Sequence, residues 1–137
     1  MMRSGAGDEA DIALMKFCYT DSGHAMSAED IFRAYIDEME RLEAEYPATT
    51  MVYVTMPLMA PRSTIKNIVK KALGMDVWGR EDNIERERFN SLLRETKAET
   101  GRLFDLAAVE STRADGTVET FLEGGSAYPM MVPAYTD

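Results

Sequence analysis

Ser22-Gly23-His24 sets a hydroxyl beside an imidazole, the pairing that nucleophilic acyl transfer uses. A triad also needs a carboxylate on the far side of the imidazole, and Asp21 is too near in sequence for good geometry. The same residues therefore also fit an ordinary loop. Cys18 stands two residues from Lys16. In a regular strand the two share a face, and a cationic neighbour is what a reactive thiolate requires. The simpler reading of Cys18 is a buried small hydrophobe. Gly124-Gly125-Ser126 begins like a nucleophile elbow but has Tyr128 where G-x-S-x-G needs glycine. No phosphate-cradling glycine loop occurs, neither GxGxxG nor GxxxxGK[ST], and no cofactor is expected.

Asn83, Arg86 and Asn90 follow helical spacing and share one face. They form either a polar surface stripe or a set of side chains that order the loops at the top of a sheet. Glu38, Glu40, Glu43 and Glu45 read as a solvated helix face rather than a metal site. Arg62, Lys66, Lys70 and Lys71 form the one basic patch. They read as a solvated helix, with a lip attracting an anionic substrate or membrane as the alternative.

Composition limits what these groups can serve. The chain has 137 residues, 45% hydrophobic and 28% charged, which suits one globular domain spanning 1–137. Its formal net charge is −9, so no nucleic-acid partner is expected. One cysteine excludes an internal disulfide, and with one histidine it excludes a structural zinc site of several Cys and His ligands. No apolar run reaches the ~18 residues of a membrane span. The start, Met1-Met2-Arg3-Ser4-Gly5, lacks the apolar core of a signal peptide, so a cytoplasmic setting is expected.

The elements that must position the candidates alternate between strand and helix patterns. Asp11–Tyr19 is mostly apolar, interrupted by Lys16, and predicts a strand covered on both faces. Ser27 with Asp30 predicts a capped helix start, carrying Ile31, Tyr35, Met39 and Leu42 as its buried stripe. Thr50–Met56 predicts a second buried strand, stopped by Pro57. Ile65, Ile68, Val69 and Leu73 mark a short amphipathic helix. Asp82–Thr100 predicts a long helix with Asp82 as cap and Gly101 as stop. Arg102–Val109 predicts a third strand, and Ala114-Asp115-Gly116-Thr117 a tight turn. The tail from Gly124 to Asp137 reads as irregular. Crossover helices between apolar strands predict a parallel sheet. Its ligands would sit beyond the strands' C-terminal ends, at Thr20–His24, Pro57–Arg62 and Val109–Thr112.

Several segments together resemble the SGNH (GDSL-type) hydrolases, in particular a bacterial branch. Asp11-Ile12-Ala13-Leu14-Met15-Lys16-Phe17-Cys18-Tyr19-Thr20-Asp21 resembles that branch's third strand and following loop. Phe32-Arg33-Ala34-Tyr35, Tyr46-Pro47-Ala48-Thr49-Thr50 and Val54-Thr55-Met56-Pro57-Leu58 resemble its next helix and strand. Asn83-Ile84-Glu85-Arg86-Glu87-Arg88-Phe89-Asn90 resembles the following helix. Leu103-Phe104-Asp105-Leu106-Ala107 and Glu110-Ser111-Thr112 resemble its last strand, and Pro133-Ala134-Tyr135-Thr136-Asp137 the approach to the final catalytic block.

The resemblance implies a three-layer α/β/α flavodoxin-like fold, of which this chain carries the last three strands. It also implies hydrolysis of a small-molecule ester by Ser-His-Asp chemistry. Asp137 would be the triad aspartate or the residue before it. Cys18, Tyr19 and Asp21 would line the substrate and oxyanion rim. The sequence departs from the family pattern in lacking the Gly-Asp-Ser block, the Asp-x-x-His block and the oxyanion asparagine. It is therefore expected to be an interior piece of such a domain, inactive alone. Its first strand, deprived of a neighbour, would be an apolar edge prone to self-association. The competing expectation is a degenerate, non-catalytic α/β domain that binds a small ligand or a partner chain. A receiver-type signalling domain ranks last, because its carboxylate cluster and lysine pattern are not seen.

Overall fold

The computed structural model describes residues 10–17, 27–60 and 79–135. Cys18, Tyr19, Asp21, Ser22, His24, the basic segment around Arg62–Lys71 and Asp137 lie outside them. In chain order the elements are β1 (Ile12–Met15), α1 (Ala28–Glu45), β2 (Thr50–Val54), α2 (Arg80–Lys97), β3 (Leu103–Phe104) and α3 (Leu106–Ser111). An antiparallel hairpin follows, β4 (Thr120–Glu123) and β5 (Ser126–Pro129). The fold is mixed α/β, and β1, β2 and β3 form a three-stranded parallel sheet in that order.

The start of α1 follows from its cap. Ser27 has extended backbone, and its hydroxyl accepts the Asp30 N–H and donates to the Asp30 carboxylate. These bonds satisfy an end that the helix itself leaves open. The apolar stripe then buries Tyr35 and Met39 against the sheet. α2 begins two residues before the expected Asp82. Gly79 serves as its cap in a left-handed conformation, φ +89°, and accepts the Asn83 N–H through its carbonyl. Glu81 and Asp82 occupy the first turn, where a helix favours negative charge. At the far end α2 passes at Lys97 into a 3-10 turn, Ala98–Thr100, and Gly101, φ +67°, closes that turn.

The core lies between the sheet and these two helices. Ala13, Met15, Met51, Tyr53 and Leu103 point there from the strands. Phe89 is the hub of an aromatic cluster, with ring centroids 5.4 Å from Phe17, 6.1 Å from Phe32 and 5.6 Å from Tyr35. The Tyr35 hydroxyl donates to the Met15 carbonyl and accepts the Val54 N–H, each at 3.0 Å, so one side chain joins the ends of β1 and β2. Burial pushes the Tyr35 phenol up, and it stays protonated. Tyr35→Phe keeps the ring but strands both backbone groups. It is expected to cost about 2 kcal/mol, read as a lower urea midpoint at unchanged slope.

Two expected elements differ. The run after Arg102 stays a strand only through Phe104. The Asp105 carboxylate then accepts the Ala108 N–H and caps α3. An apolar run of this length serves strand or helix equally, and the cap decides it. The tail expected to be irregular contains β5. Gly124 and Gly125, both at positive φ, form the turn that folds it back on β4. Arg80 fastens this hairpin to α2, lying 5.1 Å over the Phe121 ring and pairing with Glu123 at 3.0 Å.

The first strand is not covered on both faces as its apolarity predicts. Alternation turns Ile12, Leu14, Val52 and Phe104 away from α1 and α2. There Ile12 stays 66%, Leu14 62% and Phe104 47% exposed. Among the described residues, no helix is long and apolar enough to cross a membrane.

Candidate functional site

In a parallel sheet all strands end on the same side. Lys16 and Phe17 leave β1, Thr55–Ala60 leave β2, and Asp105–Ser111 follow β3, so these segments meet at one rim. The middle one is unusual. Residues 56–59 have no regular secondary structure, yet Leu58 is fully buried and Met56 nearly so. Buried backbone must find partners, and here side chains supply most of them.

α2 provides one set. The Asn90 amide accepts the Met56 N–H at 2.6 Å and donates to the Met56 carbonyl at 3.1 Å. Arg86 donates to the Pro57 carbonyl at 2.6 Å. Asn83 accepts the Met59 N–H at 2.8 Å and donates to the Met59 carbonyl at 3.0 Å. All three side chains are buried. The face they share is thus not a solvated stripe: it clamps the strap formed by residues 56–59. Gly79 adds to the fit, since a Cβ there would meet the Met59 Cβ at 3.4 Å and φ is positive.

The other side of the strap is held by α3. The Glu110 carboxylate accepts the Leu58 N–H at 2.6 Å, and the Glu110 carbonyl accepts the Val132 N–H at 2.9 Å. The Met59 carbonyl also accepts the Met131 N–H. Two parts of the expected rim, Pro57–Ala60 and Val109–Thr112, therefore come together, while Thr20–His24 lies outside the described residues. Sequence reasoning gave Glu110 no role of its own. The available signal was its place just after the last parallel strand, where carboxylates meet ligands or loops.

Beneath the rim, Thr55 donates to Asp105 at 3.1 Å and accepts the Ala107 N–H at 2.9 Å. Arg94 grips Asp105 through two nitrogens, at 2.7 and 3.1 Å, and reaches Glu87 at 2.7 Å. Burial alone raises the Asp105 carboxyl, but Arg94, the Ala108 N–H and Thr55 outweigh it and hold the group below the usual aspartate range. A depressed folded value means stabilisation that is present above the ordinary aspartate value and lost as pH falls through the folded one. Wild type is expected to lose stability over that acid range. Asp105→Asn should start lower and flatten that part of the profile, as measured by urea unfolding at successive pH values.

Among the described residues, the polar side chains at the rim are engaged with backbone or with one another. Ser111 is buried and donates to the Ala107 carbonyl at 2.8 Å. Ser126 lies exposed in β5, opposite Glu123 of β4. Among the described residues, no group of three or more His, Cys, Asp or Glu could hold a metal. The chain's one cysteine and one histidine lie outside them, as do Tyr19, Asp21 and Asp137. Against known proteins, no family model matches the chain and no curated protein matches it.

Proposed function

We propose that this chain is part of an α/β/α domain of the SGNH (GDSL-type) hydrolase kind. In this reading it supplies the platform of an ester-hydrolysing site, and the nucleophilic serine and general-base histidine come from elsewhere in the domain. The observation that carries the reading is the half-covered sheet. Parallel sheets are packed on both faces, yet Ile12, Leu14 and Phe104 stay exposed opposite α1 and α2. Among the described residues, β1 also has a hydrogen-bonded neighbour on one side only. A further layer and a further strand account for both, and a flavodoxin-like domain has them.

In this reading Cys18, Tyr19 and Asp21 line the substrate rim, and Asp137 is the triad aspartate or its neighbour. The substrate is a small ester. The isolated chain is inactive, because losing triad members leaves only residual catalysis.

The second reading is a non-catalytic domain that binds a small ligand or a partner chain. It is favoured by the engagement of Asn83, Asn90 and Glu110 with backbone, which leaves them poorly placed for chemistry.

The test begins with the DNA flanking the reading frame. The hydrolase reading expects an in-frame Gly-Asp-Ser-like block upstream and a histidine just after Asp137. The full frame should then cleave p-nitrophenyl acetate and lose that activity to a serine-directed phosphonate. Stop codons close on both sides, or a full frame inert toward short aryl esters, would overturn it in favour of the binding domain.

A further inference from the structure

β1 is an outer strand of the parallel sheet: among the described residues it pairs with β2 on one side and with nothing on the other. Two bonds show which of its backbone groups face the free side. The Asp11 carbonyl accepts the Thr50 N–H, and the Met15 carbonyl accepts the Tyr35 hydroxyl, which itself accepts the Val54 N–H of β2. Asp11 and Met15 thus turn toward β2, and alternation along the strand turns Ala13 with them. Ile12 and Leu14 therefore direct their N–H and C=O groups to the free edge. Their side chains stand exposed on the open face of the sheet. Native edge strands are commonly guarded by a charge or a proline within them, and Ile12-Ala13-Leu14-Met15 has neither. The charges stand at its two ends, exposed Asp11 before it and exposed Lys16 after it.

We propose that this edge pairs with the same edge of a second copy of the chain, antiparallel about a two-fold axis through Ala13. Ile12 of one copy then lies opposite Leu14 of the other, and Leu14 opposite Ile12, and each such pair exchanges two hydrogen bonds. Every free N–H and C=O of the two residues is satisfied. Opposite residues share a face, so the exposed Ile12 and Leu14 side chains of both copies meet in one apolar strip. Ala13 meets Ala13 at the axis, where opposed Cα atoms come within about 4.5 Å and a small side chain fits. Charge selects the antiparallel sense. It brings Asp11 of one copy beside Lys16 of the other at both ends of the seam, whereas parallel pairing sets like charges side by side. A contact of this symmetry closes at two copies. The proposal concerns the 137-residue chain by itself. It does not rest on the hydrolase reading, in which a further strand of the longer frame takes this edge.

Sedimentation equilibrium of the intact chain tests this. A monomer–dimer equilibrium in the micromolar range is expected, because a seam of one short strand is a small interface. Asp11→Lys and Lys16→Asp each place like charges at both ends of the seam, and each should weaken the dimer about tenfold. The double variant Asp11→Lys with Lys16→Asp reverses both charges and should regain the wild-type affinity. Leu14→Lys puts a charge into the apolar strip and should leave a monomer. Its side chain is exposed in the single chain, so far-UV circular dichroism should show the fold unchanged. The pairing is overturned by a chain that stays monomeric at its highest soluble concentration, or by open-ended aggregates in place of a closed dimer. It is equally overturned if the double variant binds no tighter than the two singles, or if Leu14→Lys dimerises like wild type. A monomeric chain would leave the hydrolase reading standing, and an inert full frame would leave the dimer standing, so the two fail separately.

Discussion

Asn90→Ala should cost about 4 kcal/mol of unfolding free energy, because it strands two buried backbone groups at once. Asn90 is fully buried, and its amide serves both the N–H and the carbonyl of Met56. Alanine can serve neither, and it leaves a space as well. Set against the ~5–15 kcal/mol that holds a domain together, this is a large share. The measurement is urea unfolding, read as a lower midpoint at unchanged slope. Asn90→Asp sharpens the test. A carboxylate still accepts the Met56 N–H but cannot donate to the Met56 carbonyl, and it puts a charge in a buried place. Its deficit should therefore shrink at acid pH, where the carboxyl becomes a donor again, whereas that of Asn90→Ala should not. A loss below about 1 kcal/mol for Asn90→Ala would mean that water replaces the amide, and the clamp would then not depend on this side chain.

Phe89→Ala is expected to cost a similar amount, about 3–5 kcal/mol, through a different mechanism. No polar group is stranded. The loss is buried apolar surface and the edge-to-face contacts with Phe17, Phe32 and Tyr35. The ring is fully buried where α1, α2 and the end of β1 converge, so the surroundings have little freedom to collapse into the space. Phe89→Leu keeps much of the volume and should cost about 1–2 kcal/mol. If alanine and leucine cost the same, the cluster would be adapting around the gap, and the packing would be softer than its geometry suggests. Differential scanning calorimetry of both variants distinguishes the two cases.

The sheet and its two long helices were legible because their signals are local. Ser27 with Asp30 marks a helix start within four residues, and Gly101 marks an end with one. The run Met51–Val54 is too apolar to be anything but buried. Spacing put Asn83, Arg86 and Asn90 on one face, but it left open whether that face met water or backbone. The answer depends on the strap, which lies 24 to 34 residues away. Glu110 falls within the expected rim at Val109–Thr112, but its role is hidden for the same reason, since its partner is 52 residues back along the chain. α3 was hidden because Leu106–Val109 is apolar enough for either element, and the deciding group is a single capping carboxylate at Asp105. β5 was hidden because its strand pattern is weak and the Gly124–Gly125 turn alone announces it. The residues with the most chemistry in the sequence, from Cys18 to His24 and Asp137, lie outside the described residues. The reading of them still rests on the family resemblance.

The strap has a consequence for the order in which this chain assembles. No ladder and no helix holds residues 56–59, and the side chains that do hold them are far away in sequence. Long loops must close before any of those bonds can form. The strap's bonds need α2 and α3 in place, because those helices supply the side chains that hold it. Contacts made after the rate-limiting step leave the speed of folding nearly untouched and govern the rate of unfolding instead. The clamp of Asn83, Arg86, Asn90 and Glu110 is therefore expected to act as a lock on a finished structure: in stopped-flow measurements Asn90→Ala should speed unfolding and leave the rate of folding nearly unchanged.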